Sequence, residues 1–300
     1  MLSASNDQQP DHDHWMQLMM QAERCLPPVL PDEEDLPLTS TGASDPDGSR
    51  TIEDIVSVLP LPSQRVGRVT QWAVGVTTAP RRAATLLPCL QSLIAAGWAE
   101  PHLFIDGAVD LPAPYTELPR TYRQPAIGAR QSYYLAVVEL LQRHPEADAV
   151  MLVQDDAYWP GSLPVREYLE QALWPGDVPG LVSGWCCTDD TCDVAGWHHR
   201  KTPWKFGAVV FIFSRDAAER FVHDSAMKTA CDSRTDNPSG GLSMLIGDWA
   251  ARCEVPVYFP TPSLVQHLGD VSTIWEHSRA VGVRRASRFL GDEVLESRPP

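Results

Sequence analysis

Five apolar residues in a row, Ala149-Val150-Met151-Leu152-Val153, run through Gln154 into two adjacent carboxylates, Asp155 and Asp156. An unbroken apolar run of this length, followed by the turn-forming Tyr158-Trp159-Pro160-Gly161, reads as a strand buried on both faces, as at the centre of a parallel α/β sheet. In open α/β sheets the crevice outside the carboxyl ends of the strands holds ligands. Two acidic groups placed there suit a hard cation such as Mg2+ or Mn2+ that also holds phosphate oxygens. Asp155 and Asp156 are therefore expected to form a metal and nucleotide-diphosphate site.

The neighbouring segments predict the layers around this strand. Residues 69–78 are rich in β-branched side chains and predict a strand. It runs through Ala79-Pro80-Arg81-Arg82 into a helical pattern carried by Leu86, Leu87, Leu90, Leu93 and Ile94 and ended by Gly97. Residues 101–107 predict a short strand that again ends in a carboxylate, Asp106, which gives β-α-β with a right-handed crossover. A helix is expected over 127–143. Its start, Gly128-Ala129-Arg130-Gln131, reads equally well as a diphosphate-facing N-terminus with Arg130 as a bidentate fork, or as a plain amphipathic helix. After the carboxylates the pattern predicts a helix over 163–173, a strand over 180–184 and a Cys/Trp/His-rich loop. A strand over 206–214 and a helix over 215–223 come next, then a loop over 228–241, a helix over 244–253 and an extended stretch over 255–260.

Composition limits what such a chain does. Its 300 residues, 43% hydrophobic with ten Trp, are enough for one substantial core. The formal charge of −15 argues against nucleic acid and against an anionic membrane surface as partners. An anionic substrate then needs a metal ion or local arginines. The first fifty residues contribute net −8 and six of the prolines. They read as a tethered acidic linker with a possible short amphipathic helix over 14–25, so the expected division is an extension over 1–66 and a domain over 67–300, with regular structure beginning near Arg68. No apolar stretch approaches the roughly 18 residues of a membrane span, and the N-terminus lacks the order of a signal peptide, so a cytoplasmic location is the expectation. Seven Cys, an odd number, spread through the chain do not suggest a disulfide scaffold. The cluster Cys186, Cys187 and Cys192, followed by His198-His199, offers zinc-type ligands at a spacing that matches no finger or ribbon.

The order strand-TTAPR-helix, strand-Asp106, helix, strand-QDD, a strand ending Phe-Ser-Arg, Gly247-Asp248 on a helix and the closing Pro262-Ser263-Leu264-Val265-Gln266-His267-Leu268-Gly269 resembles GT-A-fold, nucleotide-sugar-dependent glycosyltransferases. The closing segment is similar to the type IV branching N-acetylglucosaminyltransferases and related inverting enzymes. The likeness covers roughly residues 68–275. It implies an α/β fold with a mostly parallel, Rossmann-like central sheet flanked by helices. It also implies transfer of a hexosyl or N-acetylhexosaminyl group from a nucleoside-diphosphate sugar, with UDP expected, to a hydroxyl of a glycan or other acceptor, with inversion and with Mn2+ or Mg2+. Gln154 departs from the Glu or Asp that such families often place there, which bears on the ribose contact more than on the metal.

The resemblance further implies that Asp156 and His267 are metal ligands and that Asp155 reaches ribose or the metal through water. Asp106 would contact the nucleoside, Thr77 and Arg81 would line its pocket, and Gln154 is a further donor contact, while Arg130 is a donor-contact candidate from the helix start rather than from the resemblance. Asp248 stands where these families carry the base that takes the acceptor's proton. Each residue has a plainer reading: Asp106 as a turn cap, Arg81 as a solvated charge, Asp248 as an N-cap or first-turn acid, His267 as one hydrogen-bonded His among nine. Trp185, Trp197 and Trp204 are candidates for stacking on acceptor sugars, or core. A glycoside hydrolase fits poorly, because neighbours on a strand point to opposite faces. A sugar-phosphate nucleotidyltransferase lacks its Gly-rich opening between Val74 and Arg82. The remaining alternative is a carbohydrate- or nucleotide-sugar-binding protein without turnover.

Overall fold

The computed structural model describes residues 50–81, 83–200, 203–205, 207–232, 241–268 and 285–297. The strands are β1 (Trp72–Thr78), β2 (His102–Asp106), β3 (Arg120–Arg123), β4 (Ala149–Gln154), β5 (Ala157–Tyr158), β6 (Leu181–Ser183), β7 (Gly196–Arg200), β8 (Val210–Ser214), β9 (Val257–Thr261) and β10 (Gln266–His267). The helices are α1 (Ile52–Val58), α2 (Leu86–Ala95), α3 (Ala129–Arg143), α4 (Val165–Ala172), α5 (Arg215–His223), α6 (Ser225–Asp232), α7 (Leu242–Arg252) and α8 (Leu290–Glu296). Eight strands form one sheet in the order β3-β2-β1-β4-β8-β6-β9-β7, and β5 and β10 pair separately. The half β3-β2-β1-β4 is parallel throughout. In the other half β8 runs antiparallel to both β4 and β6, β9 is parallel to β6, and β7 closes the edge antiparallel to β9. The fold is a mixed α/β architecture: a large, mostly parallel central sheet flanked by helices.

The apolar run at 149–153 is the central strand, and its alternation divides the core. Met151 and Val153 join the cluster that holds Leu86, Leu90 and Leu93 of α2. Val150 and Leu152 join the opposite cluster with Tyr133, Ala136, Val137 and Leu140 of α3. Those four positions recur at helical spacing, so α3 buries one continuous stripe. All four β4 side chains are fully buried, worth about 1.5–3 kcal/mol each against exposure. Gly75 on β1 lets α3 and the sheet close: a Cβ there would lie 2.6 Å from Phe104 and 2.9 Å from Leu152.

Several elements escape the sequence pattern. Regular structure starts before Arg68, because α1 packs against α4 and α8 and buries Ile55 completely. The polar strands β3 and β7 lie at the two sheet edges, where half-exposed Arg, Thr and His side chains leave no apolar alternation to read. Helix α6 occupies part of the stretch expected as loop over 228–241; residues 233–240 and the expected helix over 14–25 lie outside the described residues. No described helix is long and apolar enough to cross a membrane.

Helix α7 seats its backbone directly on another segment. A Cβ on Gly247 would stand 1.8 Å from the carbonyl oxygen of Trp204. Helix propensity alone favours Gly→Ala by about 1 kcal/mol, whereas overpacking costs about 1–3 kcal/mol. Gly247→Ala is expected to lower the melting temperature by several degrees, at roughly 2–4 °C per kcal/mol for a domain of this size. A rise in a thermal melt would contradict this seating of α7.

Candidate functional site

Three neighbouring parallel strands, β2, β1 and β4, deliver polar residues at their carboxyl ends. Strand β1 ends at Thr78, β2 at Asp106, and β4 at Gln154, after which Asp155 and Asp156 form a turn rather than more strand. The turn changes the geometry expected from strand alternation, because both carboxylates converge on one guanidinium. Arg81, on the connection after β1, places Nη2 2.5 Å from Asp155 Oδ1 and Nη1 2.8 Å from Asp156 Oδ2. Its side chain is 16% exposed, so the reading of Arg81 as a solvated surface charge does not hold. The exclusion of a hydrolase by opposite faces loses its basis as well. What stands against a hydrolytic pair is that one cation ties up both acids. Thr78, which the sequence reading passed over, donates from Oγ1 to Asp155 Oδ2 at 2.6 Å; the Thr-Thr pair closing β1 was the available signal.

The far end of the chain returns to the same turn. Residues Gln266 and His267 pair antiparallel with Tyr158 and Ala157, immediately after the carboxylates. The Leu268 amide donates to the Asp156 carbonyl at 2.7 Å, which pins the two segments together. Gln266 Oε1 accepts from the amides of His267 and Ala286, so the segment that carries His267 is fixed on both sides. His267 Nε2 lies 3.2 Å from Asp156 Oδ2, and the Trp185 ring sits 6.0 Å from the imidazole.

The carboxylate oxygens can be accounted for one by one. Asp155 Oδ2 faces Thr78, Asp155 Oδ1 faces Arg81, and Asp156 Oδ2 faces both Arg81 and His267. Among the described residues Asp156 Oδ1 is buried with no partner, as are His267 Nδ1 and Trp185 Nε1. Unpaired polar atoms at this depth cost free energy unless a ligand or water meets them. Among the described residues no three His, Cys, Asp or Glu side chains are set to share one metal ion, which holds for the Cys186–Cys192 region too. The donor set still fits an open site: a carboxylate and an imidazole from the protein, with the other positions left to phosphate oxygens and water.

Burial pushes the Asp155 carboxyl up to about 6, with the Asp156 charge adding to the rise and Arg81 and Thr78 opposing it. Burial would lift Asp156 as well, but hydrogen bonding and charge from His267, together with Arg81, outweigh it and hold that carboxyl at about 2. Desolvation works against the Arg81 charge, yet the two carboxylates keep the guanidinium more basic than usual. Nearby, burial drives the Cys89 thiol well above its ordinary value, reinforced by both acids, so it stays a neutral thiol beside the Gln154 carbonyl.

The other candidates are placed as follows. Asp106 is buried and accepts from the amides of Ile127 and Gly128 at 2.7 and 2.9 Å, so it caps the approach to α3. Thr77 is half-buried beside it on β1, 3.4 Å from the Val153 carbonyl. Gln154 holds β4 to β8 through its amide, which donates to Val209. Arg130 lies in the first turn of α3, close enough to Cys231 of α6 to temper the rise of that thiol's pKa. Asp248 is exposed in the middle of α7, seventh of its eleven residues, so neither an N-cap nor a first-turn role explains it. Trp204 is fully buried against Phe259 and Gly247, and Trp185 is nearly so; Trp197 stacks on Tyr168 and donates to its hydroxyl. Trp204 is thus core and no sugar platform.

No protein-family model and no curated protein matches the chain. Among solved structures it is similar to GalNAc-T7, crystallised with UDP, GalNAc and Mn2+, at 11% identity and a TM-score of 0.47. That match covers 76% of this chain and spans 48% of the GalNAc-T7 chain, about half its length. A protein from STIV aligns at 10% identity and TM-score 0.38, over 67% of this chain and 87% of that one. A glycosyltransferase involved in glycosylation of the major capsid of PBCV-1 aligns at 9% identity and TM-score 0.30, over 56% and 69%. Function therefore rests on the site's own residues.

A carboxyl whose pKa is raised by folding contributes stability below its unfolded value, here 3.8, and loses it as pH rises through about 6. Asp155→Asn removes that titration. The stability of the wild type relative to Asp155→Asn, measured by urea unfolding, is expected to fall between about pH 4 and 6.5. A difference that stays constant across this window would contradict the buried setting of Asp155.

Proposed function

We propose that the chain transfers a hexosyl or N-acetylhexosaminyl group from a nucleoside-diphosphate sugar, with UDP as the expected nucleotide, to an acceptor hydroxyl, with inversion. The observation that carries this reading is the convergence of Asp156, His267 and Arg81 at the carboxyl end of β4, with Asp156 Oδ1 buried and unpaired among the described residues. The resemblance of the QDD, Gly-Asp and LVQH segments to glycosyltransferases supports the same assignment.

Asp156 and His267 would hold Mn2+ or Mg2+, and such an ion neutralises charge that develops on a leaving diphosphate. Asp155, held by Thr78, would reach the ribose or a water at the ion. Thr77, Gln154 and Asp106 lie at the ends of adjacent strands, where a nucleoside would lie across the sheet. Asp106 serves that pocket by shaping it, since it fixes the backbone of Ile127 and Gly128 and thereby the approach to Arg130.

Asp248 is proposed as the base. The acceptor oxygen forms a bond to the anomeric carbon, the bond from that carbon to the diphosphate breaks, and the acceptor proton passes to the Asp248 carboxylate. Asp248 is exposed on α7, one residue after Gly247, and the Gly-Asp resemblance is what supports the assignment.

Asp156→Asn keeps the shape of the side chain and removes its charge. In a titration of UDP-sugars with and without Mn2+, this variant is expected to lose the Mn2+-dependent part of binding while circular dichroism stays unchanged. Asp248→Asn is expected to bind donor normally and transfer about a hundredfold more slowly. Unchanged Mn2+-dependent binding in the first variant would overturn the site. Donor binding without any release of nucleotide in the wild type would mark a binding protein of this fold.

A further inference from the structure

Arg81 occupies the position between Asp155 and Asp156 that a cation bound to both acids would take. Its two terminal nitrogens contact one oxygen of each, and one of those oxygens, Asp156 Oδ2, is also the atom nearest His267 Nε2. Asp156 Oδ2 is the oxygen of that carboxylate turned to His267, so a divalent ion held by both residues through it would compete with the guanidinium there, with Oδ1 available as a second contact. We propose that Arg81 is a resident counter-cation: it holds the two carboxylates together until a divalent ion binds, gives way to that ion, then turns its fork to the donor's diphosphate. This inference rests on the reading of the site as a metal and nucleotide-diphosphate site.

Charge and geometry support the exchange. Asp155 and Asp156 are 2% and 4% exposed, and two buried negative charges side by side are costly without a compensating cation. One guanidinium cancels one of the two charges, whereas a divalent ion cancels both, so the carboxylate pair gains by exchanging one for the other. The remaining partners do not depend on Arg81, because Thr78 keeps its bond to Asp155 and the Leu268 amide keeps its bond to the Asp156 backbone. Arg81 itself stands on the connection between β1 and α2, outside either element, so its side chain can turn while strand and helix stay in place. Two parallel N–H donors match two phosphate oxygens as well as they match two carboxylates. Metal and nucleotide should then help each other: the ion releases the guanidinium, and the diphosphate gives it a new partner.

The test measures binding and needs no turnover. Mn2+ affinity without nucleotide is read by electron paramagnetic resonance for the wild type, Arg81→Ala, Asp156→Asn and the Arg81→Ala/Asp156→Asn pair. UDP affinity at saturating Mn2+ is read by calorimetry. Arg81→Ala is expected to bind Mn2+ at least about tenfold more tightly, since a unit charge a few Å from the ion is removed, and to bind UDP at least about tenfold more weakly. Opposite shifts for two ligands cannot come from misfolding, which weakens both. Mn2+ affinity that is unchanged or weaker in Arg81→Ala, while Asp156→Asn abolishes it, would overturn the counter-cation role and leave the site standing. Mn2+ binding that ignores Asp156→Asn in both backgrounds, or that is absent from wild type and Arg81→Ala alike, would overturn the site and this inference together.

Discussion

Two adjacent carboxylates, Asp155 and Asp156, lie buried and share the guanidinium of Arg81. Taking such charges out of water costs several kcal/mol each unless they are paired and hydrogen-bonded, and the architecture around them can be read as the means of meeting that cost. Strand β1 ends in the threonine that bonds Asp155, and the connection after it carries Arg81. The β5–β10 ribbon brings His267 to Asp156 from the far end of the chain. The buried strand β4 then gives the pair a rigid base, with helices covering both faces of the sheet. Among the described residues one carboxylate oxygen and one imidazole nitrogen are nonetheless left unsatisfied. In the proposed function these are the atoms a ligand would meet.

The electrostatic problem is larger than the pair. A chain of net charge −15 would repel a nucleoside diphosphate, the donor class proposed for it, at long range. Most of that repulsion is screened beyond about 8 Å at physiological salt. Local cations therefore decide the binding. Arg81 is the cation built into the site, a divalent ion would be the one supplied to it, and the proposed exchange lets both serve: one at the carboxylates, the other at the diphosphate.

Much of this was legible in the sequence where burial and chemistry coincide. The apolar run ending in Asp155-Asp156 announced the central strand, and helical spacing located α2, α3 and α5. His267 was singled out by the likeness of its segment rather than by any pattern of its own, and the structure brings it to 3.2 Å from Asp156. The polar edges were not legible. Strands β3 and β7 expose one face or more, so hydrogen bonding to a neighbouring strand, invisible in composition, is what makes them strands. Strand alternation carried through Asp155 and Asp156 puts the two acids on opposite faces. The strand stops at Gln154, and the turn swings both toward Arg81. Trp204, by residue type, suits either a sugar platform or the core. Here the loop lies under α7, where glycine at 247 makes room for its backbone.

The central claim is that Asp156 and His267 share one divalent ion at the end of β4. Anomalous diffraction from crystals soaked in MnCl2 and UDP tests it most directly. The account expects a manganese peak at ligand-bond distance, roughly 2 Å, from both a carboxylate oxygen of Asp156 and a nitrogen of His267. A peak bound elsewhere, or nucleotide density beside this turn with no manganese between it and Asp156, would contradict the claim.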